Sequence, residues 1–290
     1  MWRFYKAKDI LGRMDERCIG LSERIEVHRW AARCNIVYLF YLVIYSTYAI
    51  LTFLTATLSG TVPWNIYNPF FDWHGSTRNL WIASFFEFSA AECLAFQTGM
   101  LDVFPILFGL MLRAPIKLLI QRVDKLCSDP VKRDDENIED LVNCIKDHKL
   151  ILEYVSVISP IIEHIIFVQF LLVGLVLSIS LINLYIFADS WSKLAIGAYI
   201  LVQISQTFPF CCTCDLIRED CETLAVAIFH SSWKNSDRRY KTSLVYFLHN
   251  AQRTISFTAG SIFSIGLSTN LRVAKLAFSV VTFVKQMGLG

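Results

Sequence analysis

Charge is scarce in this sequence. Only 18% of the 290 residues are Asp, Glu, Lys or Arg, against 54% apolar and aromatic, and none of the 38 residues between Arg33 and Asp72 is charged. About 20 helical residues cross a bilayer core of about 30 Å, so that one gap is long enough to span with tilt. Mean hydropathy is +0.46. Disorder, collagen and small disulfide scaffolds are excluded by this composition. Lys and Arg number 27 against 25 acids, a balance that leaves no basic face for nucleic acid. Also lacking is a short basic stretch followed by an apolar core at the start, as a secretory signal would show. Residues 1–34 are instead charged throughout and amphipathic, with apolar positions Ile10, Met14, Ile19, Leu21 and Ile25.

Catalytic signatures are missing as well. There is no His-Glu-x-x-His, no Gly-x-x-x-x-Gly-Lys-Ser/Thr and no Gly-x-Ser-x-Gly. Ser156 and Ser159 stand near His164, but only Glu163 could orient that base and no oxyanion donors accompany it. The chain is read as not an enzyme, with no cofactor. The run Cys211, Cys212, Cys214, Cys221 has no second Cys-x2-Cys to pair with Cys211 and Cys214 and no nearby His, as a zinc site would, so these thiols read as small packing residues.

What the sequence has is long apolar runs: 35–59, 79–112, 161–188, 194–214 and 255–284. Glu87, Glu92 and Asp102 interrupt the second, while Arg272 and Lys275 interrupt the last. The fold class that follows is all-α, an integral membrane helix bundle with five predicted spans plus cytoplasmic helical extensions. Residues 1–34, 113–153 and 218–253 carry eight, eight and six Lys and Arg, whereas the connections between them hold only Arg78 and Lys193. Positive segments stay inside, which puts the N-terminus in the cytoplasm and the C-terminus outside. No cysteine falls in the outer loops, as reduced thiols require.

Two extensions carry a helical stripe. Leu118, Leu119, Val123 and Leu126 prolong the second span inward, and Ile138, Leu141, Ile145, Leu152 and Val155 recur at helical spacing ahead of the third. That second stripe can run unbroken into the span. Between them, 127–137 reads as a solvated link around Asp129 and Pro130. The intramembrane acids Glu87 and Glu92 face a cavity or partner, or else lie near the outer end of a tilted helix within reach of water; the second reading is favoured. The segments are therefore 1–34 cytoplasmic and amphipathic, 35–112 two spans with an outer loop, and 113–160 a cytoplasmic helical loop. They continue as 161–214 two spans, 215–254 a cytoplasmic anchor and 255–290 the last span.

The final 80 residues contain an ordered set of motifs: Phe208-Pro-Phe-Cys-Cys, Cys221-Glu-Thr-Leu-Ala-Val-Ala-Ile-Phe, Trp233, Lys241 to Leu248, Ala251-Gln252, Thr258-Ala-Gly260 and Lys275-Leu-Ala-Phe-Ser279. Upstream stand Arg13-Met-Asp-Glu-Arg17, Pro63-Trp64, Asn68-Pro69-Phe70, Ile158-Ser-Pro160 and Phe167-Val-Gln-Phe170. In this pattern the chain resembles the insect odorant receptors, over essentially its whole length. Members have seven spans, of which this chain matches three to seven, so it is expected to be truncated at its N-terminus. It departs from the pattern at Thr254, where Pro is usual, and at Asn270, where Phe is usual.

The resemblance implies an odorant-binding subunit of a ligand-gated nonselective cation channel, a heterotetramer with a shared co-receptor in the plasma membrane of olfactory sensory neurons. Its partners would be that co-receptor, membrane lipid and a small volatile organic ligand. The family's pocket lies in the outer half of the bundle, where Tyr45, Tyr48, Thr52, Phe85, Phe88 and Tyr199 are the matching aromatic and hydroxyl residues here. The last segment would line the pore, placing Phe283, Gln286 and Met287 at the narrow end; their spacing of three and one puts them on one helical face, with Lys285 off it. A G-protein-coupled receptor fits less well, because Asn68-Pro69 falls in an outer loop and the C-terminus comes out extracellular. Half of a transporter is disfavoured by the absence of an internal repeat.

Overall fold

A computed structural model describes residues 2–66, 75–128, 132–187, 190–234 and 236–287. Its order is α1 (Trp2–Glu16), α2 (Leu21–Leu58), α3 (Thr77–Asp124), α4 (Asp134–Ile182), α5 (Ser190–His230), α6 (Arg238–Ala251), β1 (Thr258–Ala259), β2 (Phe263–Ser264) and α7 (Leu267–Gln286). A single π-helical turn, Asn183–Phe187, ends α4. Five helices, α2 to α5 and α7, are long and apolar enough to cross a membrane. Asn68-Pro69-Phe70, the Asp129-Pro130 link and Asp189 lie outside the described residues.

Length explains the extensions. At 1.5 Å per residue, the 48 residues of α3 and the 49 of α4 run about 70 Å, more than twice a bilayer core. The helix ahead of the third span does continue into it without a break, but of the expected stripe only Leu141 is buried, with Ile138, Ile145 and Val155 half-buried and Leu152 exposed. Two readings are corrected. The segment 1–34 is not one amphipathic helix: Gly20 and its neighbours break it, and of the five apolar positions only Ile10 is buried while Ile19, Leu21 and Ile25 are exposed. The last apolar run does not start as helix at 255 either. Residues 258–264 form a two-stranded antiparallel hairpin, Thr258 opposite Ser264, whose turn takes positive φ at Gly260 and Ser261. An L residue enters that region at a cost, which ends any helix there.

The chain divides into two compact units, one of residues 1–31 and 108–290, the other of 32–107. In the first, α4 buries Leu141, Cys144, Ile151, Tyr154, Ile158, Ile162 and Ile166 in steps of three, four and seven, one stripe of a helix. Around that stripe sit Leu112, Ile116, Leu119 and Val123 of α3, Ile217, Leu224 and Ile228 of α5, and Tyr240, Leu244 and Phe247 of α6. Ion pairs thread this mass. Asp220, 2% exposed, takes Arg113 at 2.7 Å and Lys117 at 2.6 Å, and the Arg113 guanidinium lies 5.4 Å from the Trp30 ring. Arg122 holds Glu23 at 2.8 Å and shares Asp147 with Arg17, tying the break between α1 and α2 to α3 and α4. That guanidinium holds the Glu23 carboxyl below its usual range. The cysteines pack: Cys144, Cys211, Cys214 and Cys221 are buried, and burial pushes the Cys144 thiol up to about 12. The Ser156 and Ser159 hydroxyls donate to the Glu153 carbonyl and the Glu163 carboxylate, and His164 is bonded to the Pro160 carbonyl, so no serine addresses that imidazole.

The second unit is packed more thinly. Its apolar core is the cluster Val62, Leu80 and Ala83, and along α2 Ile36, Leu39, Phe40, Val43, Ile44, Ile50 and Leu51 all face outward. A helix apolar on its exposed side suits lipid, since its backbone is already satisfied within itself.

Candidate functional site

Polar side chains inside 32–107 converge between α2 and α3. Asp102, 5% exposed, accepts the Tyr45 hydroxyl, and from the next residue of α2 the Ser46 hydroxyl donates to Glu92 at 2.6 Å. The second Glu92 carboxylate oxygen is buried without a hydrogen-bond partner among the described residues. Glu87, 3% exposed, accepts the backbone N–H groups of Trp64 and Ile66, each at 2.7 Å. The acids are therefore not lying open to water at a helix end, as the favoured reading had it. Glu87 folds the 61–66 turn onto α3, and Asp102 and Glu92 meet hydroxyls from α2, because a carboxylate taken out of water must find donors.

Between these acids runs a small cleft lined by Tyr41, Tyr45, Ser46, Phe96, Gly99 and Met100 among others, enclosing about 10 Å³. That is room for one water, well short of the few hundred Å³ that hold a drug-sized ligand. Gly99 faces the Tyr45 ring, which a Cβ there would meet at 3.4 Å, an ordinary contact distance. Next along the helices, Phe53 packs on Phe88 at 5.0 Å and on Trp81 at 6.1 Å, with Phe85 at 6.3 Å from Phe88.

Of the six residues singled out for ligand contact, Tyr45 lines the cleft and Phe88 joins the aromatic cluster. Thr52 is half-buried with its hydroxyl turned back to the Tyr48 carbonyl at 2.9 Å. Tyr48 and Phe85 face outward, 65% and 63% exposed. Tyr199 belongs to the other unit, where it accepts the Gln203 amide at 2.8 Å. The sequence reading passed over Tyr41, Ser46 and Phe53; an intramembrane acid is the signal that would have led to the first two, since it demands a donor on a neighbouring helix.

The end of α7 is arranged by side. Ala277 packs with Val173 and Leu177 of α4 and Val281 is buried, while Phe283, Gln286 and Met287 are all exposed. The Met287 N–H still reaches the Phe283 carbonyl at 3.1 Å, so the helical turn carries through all three.

The family model described as 7tm Odorant receptor matches residues 1–278. The chain belongs to that family. It is 54% identical to Odorant receptor 98a of Drosophila melanogaster over 99% of its length and 72% of that protein's, and 47% identical to Odorant receptor 42b of the same species over 100% and 72%. Among solved structures it is similar to the insect olfactory receptor OR5 from Machilis hrabei. The TM-score is 0.70 at 15% identity over 98% of this chain and 76% of that one, and 0.68 at 14% over 93% and 71% for the complex with eugenol. As an odorant receptor, the chain is a multi-pass membrane protein of the olfactory receptor fold, and the receptor's helices carry receptor rather than enzyme architecture.

Two departures noted in the receptor's sequence now have surroundings. Thr254 lies in the irregular segment after α6, where the missing proline disturbs no helix. Asn270 is 7% exposed in α7 and accepts the Thr207 hydroxyl of α5 at 3.0 Å, while its amide nitrogen has no partner among the described residues. A polar pair thus stands where the family pattern has an aromatic ring.

Proposed function

We propose that this receptor is the odorant-binding subunit of a ligand-gated, nonselective cation channel assembled with a shared co-receptor in olfactory sensory neurons. The observation that carries the channel reading is the two-sidedness of α7. One face is buried on α4, and the other presents Phe283, Gln286 and Met287 outward. Apolar groups in a ring close a pore by dewetting, and an amide supplies a polar rung for ions. In this reading the N-terminus and the long connections are cytoplasmic, 113–160 and 215–254 join subunits, and the C-terminus is extracellular.

The ligand is read as a small volatile organic molecule, with Tyr45, Thr52 and Phe88 among its contacts, Tyr48 and Phe85 on the same two helices, and Tyr199 a further candidate on α5. The eugenol complex of the Machilis receptor supports a ligand with an aromatic body and a polar handle. Tyr45, half-buried beside Asp102, offers that handle a hydroxyl.

The test is co-expression with an insect co-receptor subunit and recording under a panel of volatile esters, alcohols and ketones that includes eugenol. We expect an evoked current that persists when sodium is replaced by potassium. A tag on the C-terminus should label on intact cells. Labelling only after permeabilisation would favour the G-protein-coupled topology instead, and substituting Gln286 or Met287 should change ion selectivity or leak more than substituting Lys285.

A further inference from the structure

The base of α7 is held from outside the helix. Its first N–H, that of Leu267, has no acceptor within α7, as for any helix start. The Asp215 carboxylate of α5 takes it at 2.9 Å across 52 residues of sequence. A carboxylate at a helix N-terminus also lies at the favourable end of the helix dipole. Gly266 keeps the approach open, since a Cβ on it would stand 2.7 Å from an Asp215 carboxylate oxygen. Just before the helix, the hairpin is fixed to α4: Glu163 accepts the Thr258 hydroxyl at 2.9 Å, and its backbone carbonyl takes the Gly260 N–H at 3.3 Å. Beyond this base the contacts change character. Towards its outer end α7 meets α4 through Ala277, which packs with Val173 and Leu177 as an apolar surface.

We infer that Asp215 is the positioning residue of the pore helix: by capping α7 in trans it fixes the inner end as a pivot, about which the apolar outer part moves when the channel gates. The cap favours the arrangement in which Leu267 meets Asp215, so removing it shifts the balance between conducting and closed states without touching ligand or pore. This rests on the channel reading above.

Two substitutions reach the same contact by different routes. Asp215→Ala removes the acceptor, and Gly266→Ala keeps the charge but pushes it away. Both should change the ratio of ligand-free to maximal evoked current by about five-fold, the scale of a lost helix cap, with the surface subunit number used for normalisation. Asp215→Asn, which keeps an oxygen acceptor, should fall between parent and Asp215→Ala. The double variant should be no further shifted than either single, because both break one interaction. Glu219→Ala, an exposed carboxylate on the same helix that does not touch Asp215 or α7, should leave the ratio unchanged.

Hydrogen exchange on the purified receptor complex reads the cap without current. Amides of the first turn of α7 should exchange faster in Asp215→Ala and Gly266→Ala than in the parent. Unchanged exchange, or faster exchange with an unchanged current ratio, would overturn the inference. A parent receptor that passes no current with the co-receptor would sink the channel reading itself, a different failure from a conducting parent with indifferent variants.

Discussion

The two units solve the same problem, polar groups away from water, in opposite ways. In the unit of residues 1–31 and 108–290, charge meets charge. Asp220 has two cations and Asp147 two arginines, with fully buried Leu and Ile on every side. In 32–107, charge meets neutral donors: Asp102 a tyrosine, Glu92 a serine, Glu87 two backbone amides. The first arrangement gives each of these two acids two cations and ties helices together. The second leaves a carboxylate oxygen of Glu92 unbonded and a water-sized cleft beside Tyr45, chemistry that a ligand's own polar group can enter.

Breaking the locked side should have the largest effect. Asp220→Ala leaves Arg113 and Lys117 facing a buried gap, and removing one partner of such a pair costs about 3–5 kcal/mol. Surface expression should collapse and the melting temperature of the solubilised receptor should drop by several degrees. A melting temperature equal to the parent's would mean that the pair is not holding the helices. On the open side Glu87→Gln should cost less, about 1.5–3 kcal/mol for hydrogen bonds to a charged group. Its signature is local: faster proteolysis or exchange of the 61–66 turn, with the melting of the locked unit unmoved. If both moved together, the contrast between the units would be wrong.

The smallest effect sharpens the comparison by pH. His148, on α4 ahead of its apolar run and 7% exposed, packs edge-on to Phe247 at 5.5 Å, and burial pushes its pKa below the usual 6.5. The unfolded chain then binds a proton before the folded one does. Its contribution is intact above pH 6.5 and is lost as pH falls from there towards the depressed folded value. His148→Phe keeps an aromatic ring and removes the proton, so its melting temperature should decline less than the parent's between pH 7 and 5.5. Parallel declines would assign the slope to other groups.

Much of the locked unit was legible in the sequence. The long apolar runs gave five spans, and the helical spacing around Leu141 gave an α4 that runs unbroken into its apolar stretch, because periodicity is a local signal. Partners distant in sequence were not legible. Nothing near Asp102 announces Tyr45, 57 residues away, and nothing near Leu267 announces Asp215. The hairpin was hidden by composition: Ile255 to Ile265 is as apolar as the helix that follows, and only Gly260 hints at its turn. Side-by-side aromatics misled in the other direction, since Phe85 and Phe88 lie three residues apart yet one faces outward and the other packs on Phe53.

The unbroken run of α4 has a mechanical consequence. A rod of 49 residues extends about 37 Å to either side of its midpoint, so a tilt of about 5° swings each end by about 3 Å in opposite directions. Pro160 sits near that midpoint, where the missing backbone donor makes the helix easiest to bend. Whether a push at one end arrives at the other, or is absorbed halfway, is set by the stiffness of that one turn. Pro160→Ala would restore the missing donor and stiffen it.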